Sequence, residues 1–314
     1  MNGGGGDGGV PAAPTTENGA GGQQPQPLHQ LKQALQIVYS AQSSNDDRKQ
    51  AGAFLEAAKS EKEAPFHGFK LAHDKALEPV VRHFGLLLLE NAIRYSWPDY
   101  TVTESVTVRN WILSLAENID NNDPVYLRNK IAQLWVEVAK RMWDNEWLDM
   151  DELLVRLWDN AARQPNAAQR DLVLFILETL VDDVFNREDS VAGLRNAPLS
   201  KACFDVFTPL SVFDTYYPQR EPSTVTRRGE DGWLVRLVCL LDGALEAGVN
   251  KDSEAEACSI KILSVLKACV GWCIPKCACA IICRFPVTRM WLTILLFSEG
   301  RSPHPRSSKP LADL

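Results

Sequence analysis

The residues best suited to chemistry crowd into one short run, Cys273-x3-Cys277-x-Cys279-x3-Cys283, which holds four of the chain's eight cysteines. A zinc site asks for Cys-x2–4-Cys pairs separated by a longer span, and this spacing fits that pattern poorly. The histidines supply no alternative. His67 and His73 stand six apart, not the four that put two rings on one helical face, and neither belongs to a His-Glu-x-x-His arrangement. His83 reads as a hydrogen-bonding packing residue. No Gly-x-Ser-x-Gly elbow offers a nucleophile. Glu178, Asp182 and Asp183 could bind a metal or share acid–base work, but a solvated or partner-facing helix surface fits them better. Arg227-Arg228 could touch phosphate and reads first as part of a solvent-facing loop. Trp111, Trp135 and Trp158 fall at helical core spacing, so packing rather than base stacking explains them. The expectation is no catalytic residue, no metal and no cofactor: not an enzyme.

The bulk numbers narrow the class further. At 314 residues, 45% hydrophobic and 23% charged, the chain can bury a large core. A net charge of −7 argues against a general nucleic-acid wrapper, which displays clustered Lys and Arg, and suits a basic partner better. Cys203, Cys239, Cys258 and Cys269 sit in apolar helical settings, where buried free thiols are expected. The amino terminus has neither a basic leader nor an apolar h-region, which points to a reducing compartment. Met290–Phe297 is far short of the ~20 residues that span a bilayer, so no membrane insertion is expected.

The elements that would position any site are helices throughout. Residues 1–27 are Gly, Pro, Gln and Ala with almost no large apolar groups, and are expected to form a disordered tail. From Leu28 the spacing predicts helices in pairs: 28–40 with 46–62, 65–75 with 78–96, 101–119 with 124–143, and 149–161 with 166–185. The start signals are Asn45-Asp46, Glu78-Pro79, Thr101-x-x-Glu104, Asp123-Pro124 and Asn166-x-x-Gln169. Beyond Asn186 the pattern loosens. A helix over 198–217 broken at Pro209, an exposed loop over 221–232, and helices over 233–245 and 257–270 are expected. No run alternates in the strand manner. The predicted class is all-α. Pairs of roughly 30 to 45 residues match HEAT-type units, which bury their apolar sides by stacking into an α-α superhelix. A helical bundle is the competing arrangement.

The run Val81–Trp97, VRHFGLLLLENAIRYSW, is apolar on most sides and must be covered by neighbouring helices. It resembles the amino-terminal signature of the importin-β superfamily of nuclear transport receptors. Lys140-Arg141-Met142-Trp143 with Trp147, and the helix RDLVLFILETLVDDVF ending in Asp182-Asp183, resemble the exportin segments that follow it. Within that set the wording is similar to the exportin-5 family, fungal relatives included, over about Leu28 to Val270.

This resemblance implies a HEAT-like/ARM repeat solenoid that binds Ran-GTP and shuttles between nucleus and cytoplasm. It implies export cargo, either structured RNA such as tRNA or hairpin precursors or phosphorylated proteins, and contacts with nuclear pore repeat proteins. It puts the Ran surface on the helices at 46–62, 78–96 and 124–143, where Arg48, Glu90, Glu137 and Arg141 are the expected contacts. The expected domains are importin-β N-terminal-like HEAT repeats over 28–120 and exportin-type repeats over 121–272. Residues 273–314 stop resembling the family and are expected to come from a retained intron or a wrong splice junction. A monomer is expected. A helical-repeat interaction scaffold without Ran dependence is the alternative.

Overall fold

The computed structural model describes residues 26–163, 167–186, 189–248 and 253–270. Two compact units make up the chain, Met1–Glu56 and Ala57–Leu314. In the first, α1 (Gln26–Tyr39) buries Leu28, Leu31, Ala34 and Leu35 along one stripe. It begins within the stretch expected to be disordered, and the remaining residues 1–25 lie outside the described ones. The next helix, α2 (Asn45–Ala58), is capped one residue earlier than its sequence signal. The Ser44 hydroxyl accepts from the Asp47 N–H at 3.1 Å and donates to the Asp47 carboxylate at 2.7 Å. The helix stops at Ala58, short of the expected Lys62.

The second unit is a stack of helix pairs. It opens with α3 (Ala64–His73) packed on α4 (Pro79–Asn91), then α5 (Val102–Glu117) on α6 (Val125–Met142), and α7 (Met150–Arg163) on α8 (Ala167–Val181). After α8 come three shorter helices: α9 (Ser190–Leu194), α10 (Asn196–Phe207) and α11 (Leu210–Tyr216). The last pair is α12 (Gly232–Gly248) on α13 (Ser253–Val270). Second members of successive pairs touch in series, α4 to α6 to α8 to α13. The fold is an all-α, HEAT-like solenoid, as expected, and no strand occurs among the described residues.

Why the row forms is visible in α4. Val81, Phe84, Leu86, Leu88 and Leu89 are all buried, because α3 covers one side and α6 another. Burying each such side chain contributes about 1.5–3 kcal/mol, which no isolated helix pair could gain on every face. Pro79 opens the helix with no backbone donor to lose. A π-helical turn over Ala92–Ser96 and a 3-10 turn over Trp97–Asp99 close it. The Thr101–Glu104 capping box forms as the sequence spells it, Glu104 accepting from the Thr101 N–H at 2.8 Å.

Two other start signals act differently. Asp123 does not cap α6; Pro124 occupies the cap position. The Asp123 carboxylate instead pairs with buried Arg82 at 2.5 Å and Lys75 at 2.5 Å, since an unpaired guanidinium in the interior would cost more than an open cap. Asn166 lies outside the described residues, and the Gln169 amide donates to the Glu117 carbonyl of α5 at 2.8 Å.

The segment from α9 to residue 231 steps out of the row, so α13 stacks directly on α8. Residues 221–232, expected as a plain exposed loop, are exposed for much of their length but firmly tied. The Thr224 N–H and hydroxyl donate to Asp144, and the Thr226 N–H donates to the Leu148 carbonyl at 2.8 Å. The Arg227 guanidinium is spent on four backbone carbonyls, those of Asp205, Thr208, Gly229 and Glu230, at 2.7–2.8 Å. It therefore has no fork left for phosphate. Asp151, buried on α7, accepts from the Arg228 N–H and from the Trp233 indole, each at 2.6 Å, fastening this strap to α7 and α12.

Of the scattered cysteines, Cys203 and Cys269 are buried free thiols as expected. Cys258 is half-buried and Cys239 is exposed on α12, which corrects that expectation for both. The run Cys273–Cys283 and the apolar piece Met290–Phe297 lie outside the described residues.

Candidate partner-binding face

Along the row of second helices the polar side chains join into one ladder. Lys130 of α6 reaches Glu90 of α4 at 2.6 Å. Arg94, in the π-helical turn after α4, bridges Glu90 at 3.2 Å and Glu137 at 3.3 Å. Arg141 holds the other Glu137 oxygen at 2.8 Å and lies 5.9 Å from the centre of the Trp97 ring. Lys140 then donates to Glu137 at 3.2 Å, Asp183 at 2.9 Å and Asp189 at 3.0 Å. Arg195 completes the end by donating to the Lys140 and Trp143 carbonyls, which the last turn of α6 leaves open.

Oxygens of Glu137, Asp183 and Asp189 lie within 4.8 Å of one another, a grouping that could hold a divalent ion. The Lys140 ammonium already sits among them, fully buried, and supplies the positive charge itself. Lys130, Arg94, Lys140 and Arg141 balance Glu90, Glu137, Asp183 and Asp189, and Arg195, bound to carbonyls, leaves one positive charge at the far end. Asp183, read from sequence as a solvated or partner-facing acid, is a buried partner of Lys140. What faces outward is a middle rung of the ladder: Arg94, 45% exposed at its side chain, beside Tyr95, 73% exposed. Tyr, Trp and Arg are the residue types that anchor protein interfaces.

The ladder's Glu137 and Asp189, with Asp123 at its separate Arg82–Lys75 site, predict an acid response. Burial alone pushes the carboxyls of Asp123, Glu137 and Asp189 up. Lys75 and Arg82 at Asp123, Lys140 and Arg141 at Glu137, and the Ala192 N–H with Lys140 at Asp189 outweigh it and hold all three below their ordinary range. Such groups add stability above their unfolded pKa of about 4 and lose it as pH falls through the lower folded value. Asp151 runs the other way: burial raises it despite its two donors, so protonation relieves a cost there. Glu104, held low by the Thr101 donors, and Asp120, held low by Lys75, add to these, and five depressed carboxyls against one raised predict a net loss on acidification. Urea midpoints at pH 7 and pH 5 should agree closely, and the midpoint at pH 3 should fall.

The folded row coincides with two families matched by sequence. The importin-beta N-terminal domain matches residues 51–137, and the exportin 1-like protein family matches residues 124–203. Protein MSN5 of Saccharomyces cerevisiae is 32% identical over 257 residues, covering 77% of this chain and 20% of that protein. Exportin-5 of Homo sapiens is 31% identical over 161 residues, covering 49% of this chain and 13% of the relative. Exportin-5 of Dictyostelium discoideum is 25% identical over 229 residues, 68% and 19% of the two chains.

The chain belongs to the exportin-5 type of karyopherins.

It spans about one fifth or less of the length of these relatives. Among the described residues no helix is long and apolar enough to cross a membrane. The four positions expected on this karyopherin's Ran surface fall in distinct settings. Arg48, in the first unit, donates to the Ser40 carbonyl at 2.8 Å. Glu90, Glu137 and Arg141 meet in the ladder, with Glu137 and Arg141 largely buried by their internal partners. Sequence reasoning did not single out Arg94, Tyr95, Lys130 or Lys140 as one constellation. A signal was present in part, since Arg94-Tyr95 and Lys140-Arg141 both belong to the motifs that carry the family likeness. His83 packs edge-on against Tyr126, 5.4 Å between ring centres, consistent with its reading as a packing residue.

Proposed function

We propose that this karyopherin chain is the Ran-GTP-binding part of a nuclear export receptor. It would carry structured RNA or phosphorylated protein cargo outward, shuttling between nucleus and cytoplasm through contacts with nuclear pore repeat proteins. The observation that carries this reading is the pair of consecutive family matches laid over one stacked row, whose ladder exposes an Arg94-Tyr95 rim beside Trp97. Within the second unit, Glu90 and that rim would touch Ran, while Glu137 and Arg141 would hold Arg94 and Trp97 in place. Arg48 in the first unit would be a separate contact. The receptor acts by binding, without a catalytic step of its own: Ran and cargo each favour the same closed curvature, so each tightens the other. We also propose importin-β-type repeats over 28–120 and exportin-type repeats over 121–272, in a monomer.

Retention on immobilised Ran is the test. The chain should be held by Ran loaded with a non-hydrolysable GTP analogue and pass over the GDP form. Tyr95→Ala with Arg94→Ala should weaken that retention about tenfold or more, as loss of interface anchors does. Equal retention on both nucleotide forms would sink this reading and favour a Ran-independent scaffold.

A further inference from the structure

A cleft of about 640 Å³ opens beside the start of α6, α8 and α13 and the second half of α12. The ladder described above takes no part in it. Its polar wall carries three cations, Arg128, Arg170 and Lys261, and the carboxylate of Asp171, which two of them share. Asp171 accepts from Arg128 at 3.0 Å and pairs with Lys261. The other acid at its edge, Asp123, is already committed to Arg82 and Lys75. The wall therefore keeps a positive excess in a chain whose net charge is −7. Buried Nε atoms of Arg128 and of Arg170 meet no acceptor among the described residues, so both guanidinium groups keep unused donor capacity. Arg170 also lies 5.6 Å from the centre of the Trp158 ring, which fixes its plane.

The floor is made of small groups: Ala161, Ala168, Gly243 and Ala257. Alanine methyls and a glycine leave room for a peptide backbone and offer no aromatic face on which a base could stack. Arg128 is recessed, its side chain only 11% exposed, and stays with Asp171, which leaves Arg170 and Lys261 as the donors a carboxylate on a thin stem can meet. We propose that this cleft binds an extended acidic peptide segment of a protein partner. One or two Asp or Glu carboxylates of that segment take donors from Arg170 and Lys261, displacing the hold of Asp171 on Lys261. The backbone of the segment lies along the Ala/Gly floor. This proposal stands apart from the Ran reading and uses none of its residues.

Cys239 lines the same cleft and is exposed, whereas Cys203 is buried and serves as an internal reference. The test follows alkylation of Cys239 by N-ethylmaleimide in the full chain, read by peptide mass mapping. The probe is a capped peptide, Ac-Gly-Asp-Glu-Asp-Ala-NH2, against its amide counterpart with Asn and Gln. The acidic peptide should slow Cys239 alkylation saturably, about tenfold once nine-tenths of the sites are filled. The amide peptide should not protect, and raised salt should weaken the effect. Arg170→Gln with Lys261→Gln should raise the half-protecting concentration about tenfold. Lys261→Gln alone, at a half-exposed side chain, should raise it by a smaller factor without disturbing the fold. Equal protection by both peptides, no protection by either, or no change in the variants would overturn the proposal. Protection by a hairpin RNA but not by the acidic peptide would overturn it in favour of nucleic acid.

Discussion

Lys140→Met should destabilise the second unit by about 3–5 kcal/mol, the range for removing one partner of a buried ion pair. The methionine fills the same volume, so packing is preserved and the loss is electrostatic. Glu137, Asp183 and Asp189 would remain within 4.8 Å of one another with no ammonium between them. Arg141 can neutralise only the Glu137 end. For a unit of this size such a loss lowers Tm by about 10 °C. The variant should also regain stability as pH falls toward 5, where the parent should change little, because protonating the crowded carboxylates then relieves repulsion. Thermal melts at pH 7 and pH 5 check both statements. Adding Asp183→Asn and Asp189→Asn should recover much of the loss, since a neutral hub no longer needs the cation. A Lys140→Met protein melting like the parent at pH 7 would show that the hub is solvated and not buried.

Gly85→Ala should cost about 2–3 kcal/mol, although alanine is the better helix former by about 1 kcal/mol. At the crossing of α3 and α4 the two backbones touch through Gly68 and Gly85. A methyl on Gly85 would stand 2.5 Å from the Gly68 carbonyl oxygen and 2.7 Å from the Ala72 nitrogen. Both obstacles are backbone, which cannot rotate aside, so the helices must separate and part of the surface buried between them is lost. Gly68→Ala meets the reciprocal obstacle, the Gly85 oxygen at 2.7 Å. Gly52→Ala on α2 meets nothing within 4 Å and should leave stability unchanged or raise it. Urea unfolding of the three variants separates a packing cost from a propensity gain; equal midpoints for Gly85→Ala and Gly52→Ala would refute the close crossing.

Helix existence and order were legible because they follow from the period of the apolar residues alone. The eight helices up to Val181 appear where that spacing puts them, and Pro79 and Thr101 begin helices for purely local reasons. Local signals failed where a distant group competed for the same atoms. Asp123 looked like a cap, but Arg82, 41 residues earlier in the chain, takes its carboxylate. Arg227 looked like a free surface cation, but four carbonyls, from α10, the residue that follows it and its own strap, enclose it. Gly85 carried no warning at all, since its role depends on where Gly68 comes to lie.

The sequence by itself determined the class, the pairing of helices and the family, because periodicity and motif wording are properties of neighbouring residues. Only the tertiary structure decided which charges are spent internally and which remain for a partner. Glu137 and Arg141 lie on the same helix as Lys130, and nothing in their spacing says that Lys140 will be sealed among three carboxylates drawn from α6, the turn after α8 and the residue before α9. That outcome rests on the segment from α9 to residue 231 leaving the row, which brings Asp189 and Arg195 back onto the end of α6. A contact made across about 50 residues is set by how the chain returns, and return paths are decided by packing.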